Sequence, residues 1–304
     1  MKMARIILLP LLLASILALF SLYGCTGTGT ISTTGALQDG LSQQQLEQIL
    51  SDSLENYENL NTYKFDVDMD ILADISGGIQ SGKMTIISKI SGVTNVASQQ
   101  MQMKMDMSMS AYGSGEQNIA YDMYILADWT YMRMEIPGMG EQWIKMPTTD
   151  ELMESYNTDV VDQQLQPLDS PVKIELLRYE DVDGLECYVL SITPDMDELM
   201  QWVSEQQGTS EDVDWEELAT ISDVFKEFTY VCYIAKDSNL LKKMVVDMVM
   251  EFTPEQAGAS TGDFDTMMME IRMDMYLYDH NEPFSINLPD EAENAIEMSE
   301  DMFE

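Results

Sequence analysis

The sequence predicts an α+β protein: one large antiparallel sheet with helices gathered on its apolar face. Strict alternation of apolar and charged residues recurs from Phe65 to Leu277, the period of strands with one dry and one wet face. Helical periodicity is confined to one N-terminal stretch and a few short inserts. No alternation of strand and helix runs along the chain, which disfavours a parallel sheet.

In chain order, Lys2 and Arg5 form a charged n-region, followed by the apolar run IILLPLLLASILALF (6–20). Its 15 residues fall short of the ~20 that a spanning helix needs. SLYGC then places Leu22 and Gly24 ahead of Cys25. Residues 1–25 resemble a lipoprotein signal peptide with a lipobox cysteine. The resemblance implies that Cys25 becomes the N-terminus, its sulfur carrying a diacylglyceryl group. Tyr23 stands where a small residue is usual, so an uncleaved membrane anchor is the alternative. Either way the body of the protein is expected outside the cytoplasm. Residues 26–40 are rich in Gly and Thr with no hydrophobic period, as in a flexible tether.

Leu41, Leu46, Ile49, Leu50, Leu54, Tyr57 and Leu60 follow near helical spacing, with Ser42 as N-cap. Strands come next. Phe65, Val67, Met69 and Ile71 alternate with Lys64, Asp66, Asp68 and Asp70, and Met84 and Ile86 open another run. In MQMKMDMSMS (101–110) every odd position is methionine: Met101, Met103, Met105, Met107 and Met109. Tyr121, Met123 and Ile125 follow, then Met132, Met134 and Ile136, the turn PGMGEQ and the run WIKM. Helices are expected at 148–156, 194–207 and 212–225, the second opening on Pro194 and Asp195. Hairpins are expected to turn at Asp183-Gly184 and at Asp237-Ser238-Asn239. Two last alternating runs carry Met244, Met248 and Met250, and then Met267, Met269, Met273 and Met275. No composition break divides residues 41–304, which read as one domain.

Charge excludes whole classes of partner. Fifteen Lys and Arg against 54 Asp and Glu give a net charge of −39. Such a chain has no means of displacing counterions from a nucleic acid backbone and no basic patch for an anionic membrane. An acid-coated surface of this kind is also one adaptation to high salt. Apart from Cys25, two cysteines remain, Cys187 and Cys232, both in strand-like runs. In an extracytoplasmic chain they suggest a disulfide; two small buried thiols are the alternative.

Taken together, the lipobox cysteine, tether, N-terminal helix, strand meander ending in GMGEQWIKM, VDGLECYVLSITPD, YIAKDSNLLKK and closing INLPDEAENA resemble the LolA-like superfamily. That superfamily comprises lipoprotein carriers and lipid-transfer lipoproteins; an uncharacterised Met-rich group of prokaryotic lipoproteins within it is more similar still. The resemblance covers residues ~41–298. It implies a large antiparallel half-open β-barrel wrapped on helices, with a hydrophobic cavity for acyl chains. It carries no catalytic residues across. The switch arginine of the soluble carriers has no counterpart here.

Chemistry for catalysis is sparse. His280 is the one histidine, in the polar stretch YDHNEP, and reads as a solvated loop or strand-end residue. There is no nucleophile elbow, phosphate loop or CxxC, so no enzyme and no cofactor is expected. DVDMD (66–70) and DVDG (181–184) hold only fragments of a calcium loop. The 27 methionines pose the real choice. Thioethers select Cu(I), but these are spread over several strands rather than gathered in a loop, which favours a core or a cavity. Methionine is a deformable, polarizable lining that repacks around varied apolar guests. The expected lipid-binding set is Met69, Met101, Met103, Met105, Met107, Met109, Met123, Met132, Met134, Met248, Met250, Met269, Met273 and Met275. The expected function is a membrane-tethered extracytoplasmic lipoprotein that binds lipid or another long apolar ligand, with lipid or lipoprotein transfer as a role. The alternative is an envelope interaction or sensor module with a packed, ligand-free barrel.

Overall fold

The structure, a computed structural model, describes residues 40–78, 81–111, 115–136, 140–149, 165, 168, 171–195, 224–254, 256 and 264–298. The signal segment, the tether up to residue 39, most of the three later helices and the Pro137–Met139 part of the PGMGEQ turn lie outside the described residues.

The N-terminal helix, α1 (Gln43–Glu58), starts where its cap predicts. Ser42 and Gln45 form a reciprocal capping box, and Leu46, Leu50, Ser53 and Tyr57 turn to the core. The strands are β1 (Thr62–Ser76), β2 (Gly82–Asn95), β3 (Gln100–Ala111), β4 (Gly115–Ile125), β5 (Trp129–Ile136), β6 (Gly140–Pro147), β7 (Pro171–Val182), β8 (Leu185–Pro194), β9 (Phe225–Ala235), β10 (Leu241–Phe252) and β11 (Thr266–Tyr278). A 3₁₀ turn (Asp290–Asn294) and the two-residue β12 (Ile296–Glu297) end the described chain. Among the described residues no helix is long and apolar enough to cross a membrane.

All strands among the described residues join one twelve-stranded sheet in the order β12-β6-β5-β4-β3-β2-β1-β11-β10-β9-β8-β7. Pairing is antiparallel except where β12 runs parallel to β6. The edges β12 and β7 do not meet, so the sheet is open; a twisted sheet beyond ~10 strands curls rather than lies flat. Two meanders, β1–β6 and β7–β11, meet at a seam where Lys64–Ser76 pair with Thr266–Tyr278.

One face of the sheet, together with α1, builds the main core. Cross-strand rows such as Val246–Met273–Met69 and Met248–Ile271–Ile71–Ile86 run across the seam on this inner face. α1 lies against β7, β9 and β10. It is pinned to the β9–β10 turn by Asn239 Nδ2, which donates to Asp52 Oδ2 at 3.2 Å, and by Asn56 Nδ2, which donates to the Ser238 carbonyl at 3.2 Å. The outer face is divided: over β8–β10 it carries a second buried apolar cluster of Cys187, Val189, Val231, Tyr233, Ala235 and Val245, and nearer the seam it is ionic. Arg272 donates from Nη1 to Asp247 at 3.0 Å and from Nε to Asp274 at 3.1 Å, and Lys243 Nζ stands 2.6 Å from Asp274. The DVDMD carboxylates Asp66, Asp68 and Asp70 lie on this face, in strand register.

Three expectations change. Pro194, read as a helix start, ends β8 opposite Pro171. Phe225, read as the end of a helix, begins β9 opposite Met250; pairing of apolar residues across the sheet overrides local helical spacing there. Cys187 and Cys232 are both free. Cys187 pairs with Ala235, and Cys232 pairs with Leu190, three residues along β8. An odd offset on a strand reverses the face, so the two thiols sit on opposite sides of the sheet and form no bridge with each other.

Candidate methionine-lined site

The alternation in β1, β3, β4, β5, β10 and β11 sends every expected ligand residue with a described side chain to the inner face, into one contiguous core. Their accessibility divides them. Met69, Met101, Met103, Met123, Met132, Met248, Met250, Met269, Met273 and Met275 are buried, while Met105, Met107 and Met109 are half-buried. Met134 belongs to β5 opposite Gln142; its side chain lies outside the described residues. Met244 and Met267 share the same face and are fully buried.

Strand β3 shows the division within one element. Five identical side chains face one way, closed at Met101 and Met103 and open from Met105 onward. The cause lies in the next strands. The β4–β5 ladder spans only Asp122–Ile125 with Thr130–Arg133. Beyond it, Gly115–Ala120 of β4 are all exposed. Ile119, opposite Met107, keeps 45% of its surface in water. The open part of the inner face therefore comprises Met84, Met105, Met107, Met109, Ile119 and Tyr121.

At this split lies a cleft of about 910 Å³. Met107, Ile119 and Tyr121 reach it from the inner-face set, and Ile87, Lys89, Asp106, Ser108, Asn118 and Ala120 from the outer positions of β2–β4. Glu141 of β6 stands on the other side. Arg133 holds this margin together, with Nε 2.7 Å from Asp122 and Nη1 3.4 Å from Glu141. The space matches that of small-molecule pockets, about 300–1,000 Å³. Its wall runs from polar and charged groups to soft apolar ones, so the arrangement suits an amphiphile. The cleft was not legible in the sequence, because it exists only where β5 leaves β4. Met84, Ile119 and Tyr121 were legible by the same period-two rule as the methionines.

The other residues singled out in the sequence lie outside this cleft. Burial pushes the Cys232 thiol up to about 12, and burial likewise raises Cys187. His280 is half-buried rather than solvated: burial and the neighbouring Lys242, whose Nζ is 3.1 Å from Nδ1, lower it to about 4. Asp181 accepts the Gly184 N–H at 2.8 Å, so DVDG closes the β7–β8 turn. Among the described residues no three His, Cys, Asp or Glu side chains are grouped to hold a metal ion.

This geometry defines a class: among the described residues, an open, antiparallel-dominated sheet with one packed helix, an outer face that is ionic near the seam and a thioether-rich inner face. The chain belongs to a family of unknown function, DUF6612, whose profile matches residues 45–297. No curated protein matches it in sequence. Among solved structures it is similar to LprF from Mycobacterium bovis, at 13% identity over 84% of this chain and 99% of LprF, with a TM-score of 0.44. It is also similar to the lipoprotein LppX of Mycobacterium tuberculosis (12% identity, 81% and 100% covered, TM-score 0.36). A DUF1329 family protein from Desulfovibrio piger gives 12% identity, 82% and 95% coverage and a TM-score of 0.24.

Proposed function

We propose that this chain is a non-enzymatic extracytoplasmic lipoprotein, tethered through Cys25, with a LolA-like half-barrel that binds lipid or another long apolar ligand. The observation that carries the reading is the split at β4–β5. There Met107, flanked along β3 by the half-buried Met105 and Met109, reaches with Ile119 and Tyr121 into a cleft of about 910 Å³ lined otherwise mainly by polar groups. An acyl chain lying along Met105–Met109 leaves water on one side, each buried methylene contributing about 0.8 kcal/mol before ordering costs. The flexible thioethers adapt to chains of different shape, and a polar end remains beside Lys89, Ser108 and Asn118. Handing lipid on from a tethered position is the corresponding role.

The test is mass spectrometry of organic extracts of the purified protein, paired with uptake of a fluorescent fatty acid by delipidated protein. Co-purifying or exchangeable lipid supports the reading. A chain that neither carries nor takes up lipid overturns it. Anchoring is tested separately: a Cys25→Ser chain is expected to leave the membrane fraction. The second reading, an envelope interaction or sensor module with a filled barrel, is favoured by the ten expected ligand methionines that are closed in the core; it predicts no lipid and a protein partner on the acidic surface.

A further inference from the structure

We propose that Met105, Met107 and Met109 form an oxidant-addressed modification site, at which peroxide converts thioethers to sulfoxides and turns the open inner face polar. The effect on ligand binding rests on the lipid-binding reading above; the modification itself does not.

Three observations converge. First, β3 presents chemically identical sulfurs at graded depth, with Met101 and Met103 buried and the next three half-buried. Thioether oxidation needs only contact with the oxidant, so depth alone sets the order of reaction. Second, the two described thiols do not compete. Cys187 and Cys232 are fully buried, and burial raises both above the range where thiolate forms near neutrality. Third, each open methionine has a cross-strand neighbour that can donate a hydrogen bond to a sulfoxide oxygen. These are Tyr121 opposite Met105, Ser88 opposite Met107 and Gln117 opposite Met109, at the ~5 Å Cβ spacing of strand pairs; the Tyr121 O–H donates to Met123 Sδ at 3.6 Å and turns to the stronger sulfoxide acceptor. Met103, by contrast, lies between Gly92 and Met123, where a sulfoxide meets no side-chain donor across either strand pair. The fold therefore accommodates the product at the open end and penalises it at the closed end.

The step balances with hydrogen peroxide as named oxidant. A sulfur lone pair attacks one peroxide oxygen, the S–O bond forms and the O–O bond breaks. The departing hydroxide takes the proton from the sulfur-bound hydroxyl, giving sulfoxide and water. Sulfur loses two electrons and the peroxide gains them. The apolar lining becomes a row of strong acceptors that an acyl chain does not replace as partners for water.

The test is graded peroxide treatment of the folded chain, with peptide mapping of each methionine by mass spectrometry. Met105, Met107 and Met109 are expected to oxidise at least about tenfold faster than Met69, Met123, Met244 and Met273, with circular dichroism unchanged. Met268, exposed on the outer face, reports free oxidant access in the same sample. Equal rates for the open and closed sets overturn the proposal. Binding of a fluorescent fatty acid is expected to weaken at least about tenfold as the three sulfoxides accumulate, while in a Met105→Leu/Met107→Leu/Met109→Leu chain, whatever its starting affinity, the ratio of binding after peroxide to binding before it is expected to stay near one. If that chain loses binding equally, the sulfoxides are not the cause and the proposed consequence fails. If untreated protein binds no fatty acid, the lipid-binding reading fails, and the oxidation order still decides the modification site.

Discussion

Gly92 on β2 lies opposite Phe65 on β1, and the ring of Phe65 covers the place where a side chain would stand. A Cβ built on Gly92 falls 2.2 Å from Phe65 Cζ, 2.5 Å from Cε1 and 2.9 Å from Cε2, whereas carbon atoms rest at roughly 3.5–4.0 Å. The ring would have to retreat by more than ~1 Å, yet Phe65 is 1% exposed and packs against the Tyr63 ring with centroids 6.3 Å apart. Overpacking of this kind costs about 1–3 kcal/mol. Opposing it, alanine restricts the unfolded chain and contributes ~0.4–1 kcal/mol where the backbone tolerates it. Gly92→Ala is therefore expected to destabilise by about 1–2 kcal/mol. In a Phe65→Leu background the same change is expected to be neutral or to stabilise by up to ~1 kcal/mol. Urea unfolding of the four chains gives a double-mutant cycle, with an expected coupling of about 2 kcal/mol. A coupling below ~0.5 kcal/mol, or a stabilised Gly92→Ala single variant, would refute the ring-over-glycine packing.

Other outcomes are equally direct. His280 is neutral in the folded chain down to about pH 4, against an ordinary 6.5, so the unfolded chain binds the extra proton first and stability falls with acidification from about 6.5 to 4 through this residue. Its imidazole resonances should stay unshifted between pH 7 and 5, and His280→Gln should lessen the loss of stability over that interval; a midpoint near 6.5 by NMR would contradict its burial. Cys187 and Cys232 should resist a thiol-specific reagent in the native state and react as two free thiols in urea, with identical mobility on reducing and non-reducing gels. Ser42→Ala removes the cap of α1, where Ser42 Oγ accepts the Gln45 N–H at 3.3 Å, and should cost about 1 kcal/mol. An unchanged urea midpoint would show that the cap contributes nothing.

Much of the architecture was written locally. One dry face and one wet face force period-two alternation, so β1, β3, β10 and β11 could be read with the correct inward face from Phe65, Met101, Met244 and Met267. Asp183-Gly184 announced the β7–β8 turn because both adopt positive φ there. Register was not written locally. Whether Cys187 and Cys232 share a face depends on Cys187 meeting Ala235 rather than Cys232, which no residue near either cysteine specifies. The lowering of His280 comes from burial and from Lys242 on another strand, and the opening at Met105–Met109 depends on where β5 departs from β4. Pro194 and Phe225 misled for a related reason: their local helical signals lost to pairing partners distant in the chain.

The β1–β11 seam carries a kinetic consequence. Lys64 and Asp279, ion-paired at 2.6 Å, are 215 residues apart, and the strands on either side of them occupy the middle of the sheet rather than its rim. Contacts this distant in sequence must overcome chain-closure entropy before they yield any stabilisation, so folding is expected to be slow. Until β11 arrives, β1 and β10 are both unpaired edges with apolar inner faces. Their Asp66, Asp68, Asp70, Asp247 and Glu251 then act as gatekeepers against edge-to-edge association. The acidic outer face thus protects the unfinished molecule as well as solvating the finished one.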